Sequence, residues 1–229
     1  MIKHIRKLVF GKSEHNLVIK HSVLWQQKQN LLKVWENESH NDIGLERIFR
    51  LFLIGVQFFF PGIYIRNIIS KWGLTYKNLA IECYVLAKLV YPLFILYFHQ
   101  SHQIVFLSLS FYFLVETSTY IASLVFTPDI FYESRSVNRT ILLLFLNYIE
   151  ISFQFALLYS GFQMLTPNAV TGIDFIYFSF VTSASIGFGD IYPVTQAGKL
   201  LVCAQSFLLL IFVVLFFNYF SSKRIHPNK

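Results

Sequence analysis

A six-residue segment near the C-terminus brings together two glycines, a hydroxyl and a carboxylate: Ser185-Ile186-Gly187-Phe188-Gly189-Asp190. In an ordinary extended strand, successive carbonyl groups point in alternate directions. Gly187 and Gly189 can adopt φ > 0 without a Cβ clash, so they can reverse this alternation and turn successive oxygens to one side. A row of main-chain oxygens of this kind could replace the hydration shell of a cation.

The residues just upstream predict a short helix that would position this segment. Thr171 and Asp174 form a capping box, and the helix that they start runs to about Ala184, where unpaired carbonyls are expected at its end. About 12 residues cannot cross a bilayer. The element must therefore enter and return, with its backbone buried in protein or lining an aqueous path.

The segment resembles the pore of potassium channels, whose selectivity filter usually reads Thr-Val-Gly-Tyr-Gly-Asp. Besides the filter, the match includes Tyr177-Phe178, Val181-Thr182 and the stretch from Tyr192 to Thr195. The order is that of the family's pore domain: outer helix, pore helix, GFGD filter and inner helix. With the flanking apolar runs, the resemblance covers about residues 140–222.

The resemblance implies an ion-binding filter made of Ser185, Ile186, Gly187, Phe188 and Gly189. The carbonyls of the first four and the Ser185 hydroxyl would coordinate K+, which is the transported ion, and no cofactor is expected. Asp190 would lie at the outer mouth, and residues of the short helix would support the filter: Thr182, Tyr177 and Phe178. One filter per chain implies a homotetramer, because a closed ring of carbonyls needs four contributors.

Four positions in and near the filter depart from the family pattern, one of them Ala184, where a second Thr is common. Ser185 replaces Thr but keeps the ligand oxygen, and Phe188 replaces Tyr and lacks the phenolic hydroxyl. Val181 leaves Asp190 without a carboxyl partner at that nearby position. Potassium stays the predicted ion, and a weakly selective monovalent cation channel is the nearest alternative.

The composition indicates an all-α membrane protein. Of 229 residues, 55% are hydrophobic and 14% charged, and the mean hydropathy is +0.53, more apolar than a soluble core requires. The net charge of +7 does not indicate nucleic acid binding, since Lys and Arg lie in tails and short loops beside apolar runs.

Five apolar runs follow the N-terminal tail: residues 51–65, 79–98, 104–126, 141–162 and 200–220. The last four are long enough to span a membrane. The first is short and contains Pro61, and a fifth crossing would place one of the two basic ends outside, against the positive-inside rule. Four crossings, with residues 51–65 inserted only in part and both termini cytoplasmic in a cell membrane, are therefore predicted.

The same runs predict four segments along the chain. A basic cytoplasmic tail, with a helix that could lie on the membrane surface through Leu24, Leu31, Leu32 and Trp35, occupies residues 1–46. Accessory membrane helices occupy 47–137, the pore domain 138–222, and a short cytoplasmic tail 223–229.

Three ionisable residues lie inside apolar runs at one predicted depth: Lys88, Glu116 and Glu150. Isolated charges at that depth are costly, so a buried Lys88–Glu116 pair with Glu150 as a third member is predicted, most simply as a structural link.

No run carries Arg or Lys at three-residue intervals, so strong voltage gating is not expected. Toward the cytoplasmic end of the last run, four rings could form a constriction or pack against the neighbouring span or lipid: Phe212, Phe216, Phe217 and Phe220. A non-conducting regulatory subunit remains an alternative. An enzyme is disfavoured, because the sequence shows no nucleophile-base pairing, metal-ligand spacing or phosphate-binding loop.

Overall fold

The computed structural model describes residues 22–36, 43–127 and 137–225. Within these ranges, the regular secondary structure is helical throughout, which confirms the predicted all-α class. The α-helices are α1 (Val23–Glu36), α2 (Leu45–Val56), α3 (Pro61–Ile69), α4 (Leu74–Tyr97), α5 (Ile104–Phe126), α6 (Val137–Gly161), α7 (Gly172–Ser183) and α8 (Gln196–Ile225). Short 3-10 turns follow α2 (Gln57–Phe59) and α3 (Ser70–Trp72).

Four helices of the described chain are long and apolar enough to cross a membrane: Tyr76–Tyr97, Ile104–Phe126, Asn138–Gly161 and Gln196–Phe217. They coincide with the four long apolar runs of the sequence. At about 1.5 Å rise per residue, each of them can match the hydrocarbon thickness.

The shorter run over residues 51–65 contains a break. Segments Leu45–Phe59 and Pro61–Trp72 meet at an angle of 66°. Phe60 is extended (φ −101°, ψ 141°) and Pro61 begins α3. Proline favours the first turn of a helix, because its missing N–H has no intrahelical acceptor there.

The described residues form two compact units, with the border between Tyr84 and Val85. In the N-terminal unit, α1 packs against α2 and α3. The buried Gln27 amide of α1 donates to the Ile54 carbonyl (3.1 Å) and to the Gln57 side chain (3.2 Å). These polar contacts join α1 to the end of α2.

One residue of the apolar stripe predicted for α1 is exposed, as a helix on a membrane surface would leave it: Trp35 is 62% exposed, and the Arg47 guanidinium lies 6.0 Å from its ring centroid. The buried residues of α1 are Gln27 and Val34. Residues 1–21 and 37–42, most of the predicted tail, lie outside the described residues.

In the C-terminal unit, α6 packs against α5, α7 and α8. Its side chains Phe155, Leu157 and Tyr159 are fully buried. Gly161 ends α6 where the chain approaches α5 closely, because a Cβ there would lie 2.5 Å from the Ser101 carbonyl oxygen and 2.2 Å from Leu107 Cδ2. Helix α6 thus provides the surface on which the short helix α7 and the long helix α8 are positioned.

Candidate functional site

Helix α7 begins at the predicted capping box. The Thr171 N–H and hydroxyl both donate to Asp174 Oδ2, at 2.7 and 2.9 Å, and the Val170 N–H donates to the same oxygen at 3.0 Å. These bonds favour the ionised carboxylate and hold the pKa of Asp174 below its usual value, and the bond from the Thr171 N–H has the largest effect. Helix α7 is 12 residues long and ends at Ser183. It is therefore too short to span a bilayer of about 30 Å.

Backbone φ alternates in sign along the extended segment that follows α7, residues 185–190, here called the limb. Ser185 (55°), Gly187 (61°) and Gly189 (83°) have positive φ, whereas Ile186 and Phe188 do not. The two glycines were predicted to adopt this conformation; Ser185 was not, since a residue with a Cβ is strained there by about 1–2 kcal/mol. This alternation over residues 185–189 lets neighbouring carbonyl groups point to the same side of the chain.

The end of α7 holds the strained Ser185 in place. The Ser185 N–H donates to the Thr182 carbonyl and the Ile186 N–H to the Val181 carbonyl, both at 3.0 Å, and the Ala184 N–H donates to the Phe180 carbonyl at 2.8 Å. The expectation of unpaired carbonyls at this helix end is therefore wrong for Val181 and Thr182, which accept from the turn that follows the helix. The bond to the Phe180 carbonyl is an ordinary helical one.

On the outer part of the limb, Asp190 has a hydrogen-bond partner that is not a carboxyl group. Tyr177 Oη on α7 donates to Asp190 Oδ2 at 2.9 Å. The rings of Tyr177 and Phe188 are parallel within 1°, with centroids 6.4 Å apart. Tyr177 thus contacts the limb both through its hydroxyl and through its ring.

The other two predicted support residues act differently. Phe178 is buried and its ring meets Tyr159 of α6 edge-on at 5.0 Å. Thr182 contributes its main-chain carbonyl to the Ser185 turn. Phe178 therefore fixes α7 on the core, whereas Thr182 touches the limb directly.

Beyond Asp190, the chain is tied to the segment that follows α6. Leu165 and Pro193 form an antiparallel bridge. The Thr166 N–H donates to the Tyr192 carbonyl at 3.0 Å and the Val194 N–H to the Met164 carbonyl at 2.9 Å. The limb is thus anchored at both ends, and α8 starts with the Gly198 N–H donating to the Thr195 hydroxyl at 3.0 Å.

The structure brings the three intramembrane ionisable residues together. Lys88 Nζ lies 3.7 Å from Glu116 Oε2 and 3.9 Å from Glu150 Oε2, and it donates to the Thr117 hydroxyl at 2.6 Å. The Gln154 amide donates to Glu150 Oε1 at 3.3 Å. Helices α4, α5 and α6 are joined through this cluster, and all three ionisable side chains are buried.

Gln205 on α8 is a residue whose role sequence reasoning did not assign. It is 2% exposed and hydrogen-bonds to side chains on α6 and α7. The signal available in the sequence was an amide inside an apolar run, together with serines four residues apart on α7. Polar groups in such places are expected to find partners, but the partners cannot be read from one chain segment.

Residues 141–224 match the model of a family described as "Ion channel". No curated protein and no solved structure matches the chain. The matched range contains most of α6, all of α7, the limb with alternating φ, and nearly all of α8. It supports an ion-channel function in an oligomeric membrane assembly and points to a transporter rather than an enzyme. Residues 141–224 are therefore similar to an ion-channel domain, in a chain with helices long and apolar enough to cross a membrane.

Proposed function

We propose that this chain is one subunit of a homotetrameric channel that conducts potassium passively and selectively. The observation that carries the proposal is the alternating φ of residues 185–189, directly after a helix too short to span and between two spanning helices. Main-chain oxygens arranged in this way offer a dehydrated ion a set of ligands comparable to its hydration shell.

The ligands would be the carbonyl oxygens of Ser185, Ile186, Gly187 and Phe188, with the Ser185 hydroxyl at the inner end. Potassium is the cargo in this proposal, and no resident cofactor takes part. Asp190, held by Tyr177, would add negative charge at the outer mouth, where four copies raise the local concentration of cations.

Exposure of apolar side chains supports assembly. In the single chain, Ile186 is 55% exposed and Phe188 67% exposed, although both belong to a limb anchored at each end. On α8, Leu200, Phe207 and Leu210 are also exposed. Neighbouring subunits around a fourfold axis would cover the filter side chains and complete each ring of oxygens.

In this proposal, residues 138–222 form the pore domain and residues 47–137 contribute accessory helices. The chain lies in the cell membrane with both termini on the cytoplasmic side. The outer loops, residues 99–103 and 163–198, contain neither Lys nor Arg, in keeping with the positive-inside rule. Gating would not depend strongly on voltage.

The test is ion flux from the purified full chain in liposomes, with reversal potentials measured in mixed potassium and sodium. Selective conduction predicts a reversal potential close to the potassium equilibrium value. Equal permeability to sodium would favour the weakly selective cation channel instead. Absence of current alone, with altered current of a partner channel, would favour the regulatory subunit.

Replacing Tyr177 with Phe tests the support of the outer mouth. The variant keeps the ring that stacks on Phe188 but removes the hydroxyl that donates to Asp190. A freed carboxylate should let the limb move, so we expect the sodium-to-potassium permeability ratio to rise several-fold. Tyr192→Phe, at a tyrosine that is 56% exposed, is the control and should leave the ratio unchanged. An unchanged ratio in Tyr177→Phe would show that this hydrogen bond does not stabilise the filter.

A further inference from the structure

The side-chain amide of Gln205 lies at the centre of a buried polar network that joins three helices. Its Nε2 is 2.9 Å from both the carbonyl oxygen and the hydroxyl of Ser179, and 2.7 Å from the Ser183 hydroxyl. On the other side, Tyr159 Oη donates to Gln205 Oε1 at 2.9 Å. The amide therefore connects α8 to α7 and to α6.

The orientation of this amide follows from its partners. The Ser179 carbonyl can only accept a hydrogen bond, so the group facing it must be the NH2 and not the oxygen. The oxygen then faces Tyr159, whose hydroxyl can donate. The side chain cannot be flipped without placing two oxygen acceptors against each other.

The serines around Gln205 are also fully paired. Ser179 Oγ donates to the Ser152 carbonyl at 2.6 Å, and Ser152 Oγ lies 3.0 Å from the Tyr148 carbonyl, to which it donates. Ser183 Oγ, 3.0 Å from Ser152 Oγ, then donates to that hydroxyl and accepts from Gln205. Each donor in the network has an acceptor, and removing one member leaves the others unpaired in a buried site.

We propose that Gln205 is a positioning residue for the filter, through which α8 holds the C-terminal half of α7 in place. Ser183 precedes by two residues the strained Ser185, where φ is 55°. A strained conformation of this kind persists only when its surroundings restrain it. Gln205 supplies that restraint from α8, in addition to the backbone bonds of the turn. The inference rests on the proposed function and assigns selectivity partly to a residue that touches no ion.

The first experiment compares Gln205→Leu with Gln154→Leu. Gln154 is also fully buried, but it bonds to the Ser110 hydroxyl (2.6 Å) and the Lys88 carbonyl (3.1 Å), on α5 and α4. Both variants lose a buried amide, so their assembly in detergent should suffer alike. We expect the sodium-to-potassium permeability ratio to rise about tenfold in Gln205→Leu, as a change of about 1.4 kcal/mol would give, and to stay near wild type in Gln154→Leu.

The second experiment uses Gln205→Glu, which keeps the shape of the side chain. An ionised carboxylate would place an oxygen against the Ser179 carbonyl and repel α7, whereas the protonated acid can donate to it. Because burial favours the protonated acid, selectivity of Gln205→Glu should be close to wild type at low pH and fall as the pH is raised to about 10 on both sides of the membrane. The wild type serves as the reference at each pH, and a defect in packing alone would not depend on pH.

The outcomes separate this inference from the proposed function. If the wild type does not conduct potassium, the proposed function fails and the inference with it. If the wild type is selective and Gln205→Leu remains selective, or if Gln154→Leu shifts the ratio equally, Gln205 has no positioning role. If Gln205→Leu does not assemble, Gln205→Glu decides. A sodium-to-potassium permeability ratio of Gln205→Glu that equals the wild-type ratio at every pH would overturn the inference.

Discussion

Gly187→Ala is expected to abolish potassium flux in liposomes while leaving the chain folded and assembled. A Cβ built on Gly187 meets nothing within 4 Å in the single chain, and φ is +61°. The loss would therefore come from backbone conformation and not from a clash. An L-residue with a side chain is disfavoured there by about 1–2 kcal/mol, and in a tetramer the penalty falls on all four filters at once.

The matched control for this substitution is Gly55→Ala on α2. Gly55 has no positive φ, and its added Cβ would lie 3.9 Å from Leu31 Cδ1, an ordinary contact. Alanine also favours a helix over glycine by roughly 1 kcal/mol, so Gly55→Ala should conduct as the wild type does. Wild-type flux in Gly187→Ala would contradict the role of positive φ in conduction, and equal loss in both variants would show that the effect is not specific to the filter.

Lys88→Met is expected to destabilise the protein strongly, by on the order of 3–5 kcal/mol. Lys88 Nζ is shared by two carboxylates, at 3.7 and 3.9 Å, of which the Glu150 side chain is fully buried. Without the ammonium group, two carboxyl groups would lie together in a buried site among helices α4, α5 and α6. The measurement is the unfolding temperature and the yield of assembled protein in detergent.

Two further variants give this prediction its controls. Lys71→Met removes an exposed lysine in the 3-10 turn after α3 and should change stability little. Adding Glu116→Gln and Glu150→Gln to Lys88→Met removes the uncompensated charges and should restore much of the stability, because replacing a whole buried ion cluster costs far less than removing one partner. Wild-type stability of Lys88→Met alone would mean that the cluster does not hold the helices together.

The aromatic residues near the end of α8 illustrate the limit of sequence reasoning. The sequence left open whether these rings form a constriction or pack against the neighbouring span or lipid. Phe212 is buried, with its ring edge-on to Tyr148 of α6 at 5.5 Å, while Phe217 is 73% exposed. The sequence shows that both side chains are hydrophobic. The direction in which each points depends on how α8 is rotated against α6.

The local features of this protein were predictable from its sequence: the four long apolar helices, the short capped helix, and positive φ at two glycines. Each depends on a few neighbouring residues, because hydropathy, capping and glycine flexibility act over short stretches of chain. The positive φ of Ser185, the Tyr177–Asp190 bond and the partners of Gln205 were decided only by tertiary structure. The last two join residues that lie on different elements, and sequence patterns carry no information on which side chains meet when helices pack.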